Sequence, residues 1–190
     1  MTAVGPGCRR VFGIGWAKTG TTTLGGCLRT LGFDVHGQAL WLMPGIMAGD
    51  PQPSIALAGQ RQAFHDWPWI LLYRELDAAF PGSRFVLTVR EPRRWVESYR
   101  AMLAAQGPPP PDLAGIRRFL FGVDVDSADD EALMERYRRH NDAVLGHFRG
   151  RSNDLLVVDW ELGHGWKELC GFLGVAEPER PFPRLNARGT

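Results

Sequence analysis

Apolar residues in this chain gather in short runs, and the spacing inside each run points to its element. Residues 11–15, VFGIG, are an apolar run closed by glycine and predict a buried strand. Trp16 to Thr22 is a polar turn. Thr23, Leu24, Cys27, Leu28 and Leu31 then recur at helical spacing, and Gly32 ends that helix. Residues 33–36, FDVH, predict a second short strand. Residues 38–48 predict a helix that stops at the turn Gly49-Asp50-Pro51. Ile70, Leu71, Tyr73, Leu76, Ala79 and Phe80 place a helix over 69–80, and Pro81-Gly82 breaks it. The run RFVLTVR at 84–90 is the clearest strand, β-branched and without a breaker. Pro92 suits the first turn of a helix over 93–105. Gly107 to Pro111 predicts a stiff loop, an insertion rather than a linker. Residues 129–149 predict a long charged helix with a core stripe of Leu133, Tyr137, Val144 and Phe148. DLLVVD at 154–159 is another buried strand, and 164–174 a short amphipathic helix ending at Gly174. The terminal PFPRLNARGT reads as coil.

Strands alternating with helices imply an α/β fold: a mostly parallel central sheet covered by helices on both faces. No internal repeat interrupts it. A length of 190 residues suits one domain over 1–190, with 1–9 and 187–190 as flexible ends. Ligands of such sheets bind beyond the C-terminal ends of the strands, so the residues at those ends matter most.

Composition narrows the chemistry. Hydrophobic residues make up 44% and charged residues 23%, ordinary for a soluble domain. The net charge of +1 gives no general attraction to a polyanion, so no nucleic-acid partner is expected and any anion site is local. No apolar run approaches the roughly 20 residues that span a bilayer. The first residues lack the apolar stretch of a signal peptide, which predicts a cytoplasmic protein without a membrane partner. Cys8, Cys27 and Cys170 are too scattered for a disulfide framework, and no His spacing suggests a metal. Lysine occurs only at 18 and 167 among 22 basic residues, the others being arginine. A lysine kept in a Gly/Thr-rich loop points to a need for a compact ammonium rather than a planar guanidinium.

That loop follows the first strand: Gly15-Trp16-Ala17-Lys18-Thr19-Gly20-Thr21-Thr22. A loop entering a helix offers backbone N–H groups and a positive helix end to an anion. Lys18 adds charge, and the threonines add hydroxyls. The order differs from a Walker A loop, in which Lys follows the last Gly. The strand at 84–90 ends in Arg90, where a nucleoside triphosphatase would usually place a magnesium-binding Asp. Ser98 lies eight residues on, two turns into the next helix, so Arg90 and Ser98 are candidates for a second phosphate. A plain turn at the first loop and an ion-paired Arg90 are the alternatives.

GIGWAKTGTTTL resembles the 5′-phosphosulfate loop of P-loop sulfotransferases. FVLTVREPRRWVES resembles their 3′-phosphate motif, in which the Arg and Ser bind the 3′-phosphate of the donor. The chain is more closely similar to a bacterial sulfotransferase-like branch with a His after the first helix, an Asp-Trp-Pro segment and a terminal Pro-Phe-Pro…Asn. These are His36, Asp66-Trp67-Pro68, and Pro181-Phe182-Pro183 with Asn186. The loop departs from the family in carrying Trp16-Ala17 before Lys18, and the chain is short for an acceptor-binding lid. The resemblance implies a single-domain P-loop fold and transfer of a sulfuryl group from 3′-phosphoadenosine-5′-phosphosulfate (PAPS) to a hydroxyl or amine of a small-molecule acceptor, without a metal. It implies donor binding by Lys18, Thr19, Gly20, Thr21, Thr22, Arg90 and Ser98. Lys18 would also stabilise the leaving oxygen. His36 and Asp66 are the candidate bases, with His65 third. Trp41, Phe64, Trp67 and Trp69 are candidates for an acceptor pocket or for core, and Arg184 and Arg188 for closure over the 3′-phosphate. The rivals are a kinase-like P-loop protein and an inactive module that binds the nucleotide without turnover.

Overall fold

In a computed structural model of the protein, which describes residues 10–183, five strands form one sheet: β1 (Val11–Gly13), β2 (Val35–His36), β3 (Ala63–His65), β4 (Arg84–Thr88) and β5 (Leu155–Val158). Their order is β2-β3-β1-β4-β5 and every pairing is parallel. Eight α-helices accompany them: α1 (Thr21–Thr30), α2 (Met43–Met47), α3 (Gln52–Ala58), α4 (Tyr73–Ala79), α5 (Pro92–Gln106), α6 (Pro111–Phe121), α7 (Asp130–His147) and α8 (Trp166–Leu173). This is the α/β architecture expected of a P-loop fold.

Side-chain alternation along the strands builds two cores. Phe12, Ile14, Phe85 and Leu87 point to one face and pack with Tyr73, Leu76, Val144 and Phe148 from α4 and the end of α7. Val11, Val86 and Val158 point to the other face, under Leu24 and Leu28 of α1 and Leu169 of α8. A third cluster joins α5, α6 and α7 around Trp16, Trp95 and Tyr137. Cys27 and Cys170 are free and buried, and burial pushes the Cys27 thiol up to about 12, which leaves it unreactive.

The structure differs from the sequence expectations in detail. The helix expected over 38–48 is a 3-10 turn, Leu40–Leu42, followed by α2. That over 69–80 divides at Leu72, whose φ of −101° leaves the α region, into a 3-10 turn Trp69–Leu71 and α4. Pro111, expected in a loop, starts α6 at a position where its missing N–H costs nothing. The strand β3 and the helix α3 were not expected at all.

The order places β1 between β3 and β4. The chain leaves β1 toward β2 and β3, then crosses back to β4, so the end of β1 lies at the switch point where such sheets open a crevice.

Candidate functional site

Four strand ends meet around one cleft of about 920 Å³. The end of β1 approaches the end of β4 so closely that a Cβ on Gly15 would lie 2.0 Å from Thr88 Oγ1. The loop then turns through two left-handed residues, Lys18 at φ 72° and Gly20 at φ 94°, before α1 begins. Thr19 ties the loop down. Its N–H and hydroxyl both donate to the Trp16 carbonyl, and its Oγ1 accepts from Thr88 at 2.6 Å. Its polar groups therefore serve the fold. Trp95 of α5 donates its indole N–H to the Ala17 carbonyl at 2.9 Å. The first turn of α1 carries no acidic residue and no side-chain cap, and its positive end borders the cleft.

The end of β4 carries Arg90, and α7 fixes its backbone. The Tyr137 hydroxyl accepts from the Arg90 N–H and donates to the Arg90 carbonyl, both at 2.9 Å. Glu91 caps α5 by accepting from the N–H groups of Arg93 and Arg94. Glu161 draws two arginines together: one carboxylate oxygen accepts from Arg90 Nη2, the other from Arg94 Nη1 at 3.2 Å. Arg90 Nε is buried and, among the described residues, has no hydrogen-bond partner. Ser98 stands further along α5 in the same wall.

The end of β5 supplies Asp159, Trp160 and Glu161. Asp159 accepts from the Glu161 N–H at 2.8 Å, which sets the turn. The Trp160 ring covers Gly20, where a Cβ would lie 2.3 Å from Trp160 Cδ1. Its outer side packs on Phe182 of the Pro181-Phe182-Pro183 segment, ring centroids 4.9 Å apart.

The end of β3 supplies Asp66, at φ 72°, followed by a cis Trp67-Pro68 bond. Asp66 Oδ1 accepts from the Trp67 N–H at 2.9 Å. Burial raises its pKa, while that N–H and the nearby Lys18 charge oppose the shift.

Lys18, Thr19, Gly20, Thr21, Thr22, Asp66, Arg90 and Ser98 therefore border the same cleft. His36 does not border it. It is stacked among Trp41, Phe64 and Trp69, with Nδ1 3.2 Å from the Gly37 carbonyl. His65 lies beneath α1, where a Cβ on Gly25 would come within 2.2 Å of its Nε2. Of the four aromatic residues, Trp67 borders the cleft, Phe64 and Trp69 are core, and Trp41 is 64% exposed. Arg184, Asn186 and Arg188 lie outside the described residues. Sequence reasoning missed Trp160 and Glu161, although their position just after a buried strand in a parallel sheet was signal enough.

Among the described residues, no group of three or more His, Cys, Asp or Glu side chains could hold a metal ion, and no helix is long and apolar enough to cross a membrane. None of the curated proteins matches the chain significantly. A family model described as a sulfotransferase domain does match, over residues 10–190. A Lys-bearing loop that opens a helix at the switch point, faced by an arginine on the neighbouring strand, is the setting in which that match falls, and the chain belongs to the sulfotransferase domain family.

Proposed function

We propose that the protein transfers a sulfuryl group from PAPS to a hydroxyl or amine of a small-molecule acceptor. The observation that carries this reading is that Lys18 with the start of α1, and Arg90 with Ser98, border one cleft. A donor phosphorylated at both its 5′ and 3′ positions needs two anion-binding places. The residues present fit it. The first turn of α1 contains no acidic residue, and among the described residues the buried Nε–H of Arg90 has no hydrogen-bond partner.

When bound, PAPS would supply the sulfuryl group and a phosphate leaving group. Lys18 and the helix start balance charge at the 5′-phosphate, and Arg90 and Ser98 hold the 3′-phosphate. Such transfer has a loose transition state, by analogy with phosphoryl transfer, so positioning and charge balance carry most of the rate. Asp66 is the base of this reading. Its Oδ1 accepts from the Trp67 N–H, and the acceptor's proton would go to the other carboxylate oxygen, Oδ2. Burial raises its basicity above that of an exposed carboxylate, and it shares the cleft with Lys18, unlike His36.

Thermal melting with 3′,5′-adenosine bisphosphate, against ATP with magnesium, tests the donor. A ligand at about 100 times its dissociation constant adds about 2.7 kcal/mol, on the order of 5–10 °C for a chain of this size. A shift with the bisphosphate and none with ATP–magnesium is expected. The reverse pattern would replace this reading with a kinase-like one, and binding without turnover would mark an inactive module.

A further inference from the structure

Apart from the polar residues named above, much of the cleft lining is apolar and includes Leu40, Trp67, Met102, Leu113, Ile116 and Leu120. Arg117 of α6 also lines the cleft and is only 6% exposed. Its Nη2 donates to Gln106 Oε1 at 2.6 Å, a neutral amide at the end of α5. Its Nη1 is buried and, among the described residues, has no hydrogen-bond partner. Among the described residues, no Asp or Glu forms an ion pair with it.

Stability does not account for this arrangement. A cation taken from water needs a counter-charge or a full set of acceptors, and an apolar side chain of similar volume usually serves a fold as well or better. The guanidinium has a planar fork that matches a carboxylate through two parallel hydrogen bonds. The amide of Gln106 fixes one edge of the fork and leaves Nη1 unused.

We infer that Arg117, held by Gln106, takes a carboxylate on the acceptor, so that the substrate class is an apolar hydroxy acid. The inference rests on the sulfotransferase reading. The apolar body lies along Met102, Leu113 and Ile116, and the hydroxyl faces Asp66 and Lys18. Arg117 is then a specificity-determining residue: it selects an acceptor that is anionic at one end and sets which end reaches the donor.

The test uses the full chain saturated with 3′,5′-adenosine bisphosphate. The probes are para-hydroxyphenyl alkanoates from acetate to hexanoate, each paired with its neutral methyl ester, with affinity read by calorimetry. At least one acid is expected to bind about tenfold or more tighter than its ester. Arg117→Gln should erase that preference and leave the bisphosphate-induced melting shift in place, while Arg117→Lys should retain part of it. The inference is overturned if no acid outbinds its ester in the wild type, or if the preference survives Arg117→Gln. It is also overturned if that substitution weakens the bisphosphate and leaves the preference intact, which would assign Arg117 to the donor. Should Arg117→Gln fail to fold, the wild-type contrast between acid and ester still decides. If the bisphosphate does not bind at all, the sulfotransferase reading fails, and the same pairs measured without it still judge Arg117.

Discussion

At the residue scale, two carboxylates in the cleft have opposite expected effects. Glu161 pairs with Arg90, the arginine of the proposed 3′-phosphate place, and with Arg94. A phosphate must compete with it or share its partners. Glu161 is 35% exposed, so solvent screens the pair, and its release is worth about 1 kcal/mol or less. Glu161→Gln should therefore tighten 3′,5′-adenosine bisphosphate by several-fold in a calorimetric titration; weaker binding would show that Glu161 positions the arginines instead of blocking them. Asp66 acts the other way. As the base, its change to Asn should slow turnover about a hundredfold or more, with little change in bisphosphate affinity. His36→Asn should stay within about tenfold, or 1.4 kcal/mol in barrier, because its ring is stacked away from the cleft. If the His36 variant is the slow one, the base has been misassigned. Lys18 was legible from sequence because it is nearly alone among arginines. Asp66 was legible only as one of three candidates, because burial and a shared cleft are properties of the folded chain.

At the element scale, the legible parts were those with a period. The strand–loop–helix at 11–31, β4 with α5, and α7 all carry repeating apolar positions and clear stops, and the first two hold most of the donor side of the cleft. β3 was illegible because three residues, Ala63–His65, contain no period and gain their place from pairing with β1 and β2. α6 was hidden by the prolines before it, although Leu113, Ile116 and Leu120 keep helical spacing. Its loss concealed Arg117 as well. The contact between the β5 end and the loop could not be read either, since it joins Trp160 to Gly20 across 140 positions. It can be measured by two substitutions. Gly82→Ala places a Cβ at φ 81° with nothing within 4 Å, so only backbone strain of about 1–2 kcal/mol is expected. Gly20→Ala adds to similar strain a clash with the Trp160 ring. It should melt lower than Gly82→Ala and also lose the bisphosphate shift, because the loop and β5 end must separate. Equal melting temperatures and an intact shift would mean that the ring moves aside freely.

At the scale of the whole molecule, two buried imidazoles couple the fold to pH. His140 of α7 donates from Nε2 to the Ile14 carbonyl at 2.8 Å, joining that helix to the end of β1. The His65 side chain, from β3, lies under α1, and among the described residues neither ring nitrogen has a hydrogen-bond partner. Burial lowers both pKa values from 6.5 to about 4, helped by Arg29 and His36 at His65 and by Arg136 at His140, where the bond to Ile14 opposes the shift. Between pH 6.5 and about 4 the unfolded chain binds protons at these positions that the native chain does not. Stability therefore rises with pH across that window and falls as the solution is acidified, by about 1.4 kcal/mol per pH unit for each histidine fully inside it. Asp77 acts in a lower window: Arg151 holds its pKa down, so its contribution is lost only as pH falls through and below the usual carboxylate range. Denaturant unfolding followed across the upper window should give a slope set by two protons from these imidazoles, reduced toward its acid end by Asp66, whose raised pKa acts in the opposite sense. His140→Gln, which keeps a donor for Ile14, should reduce that slope by one proton, and so should His65→Asn. The proton count, and not the absolute stability, carries the test, because both substitutions also disturb packing. A slope that neither variant changes would mean that these imidazoles reach water before the chain unfolds, and that the loop-bearing end of β1 opens locally as the pH drops.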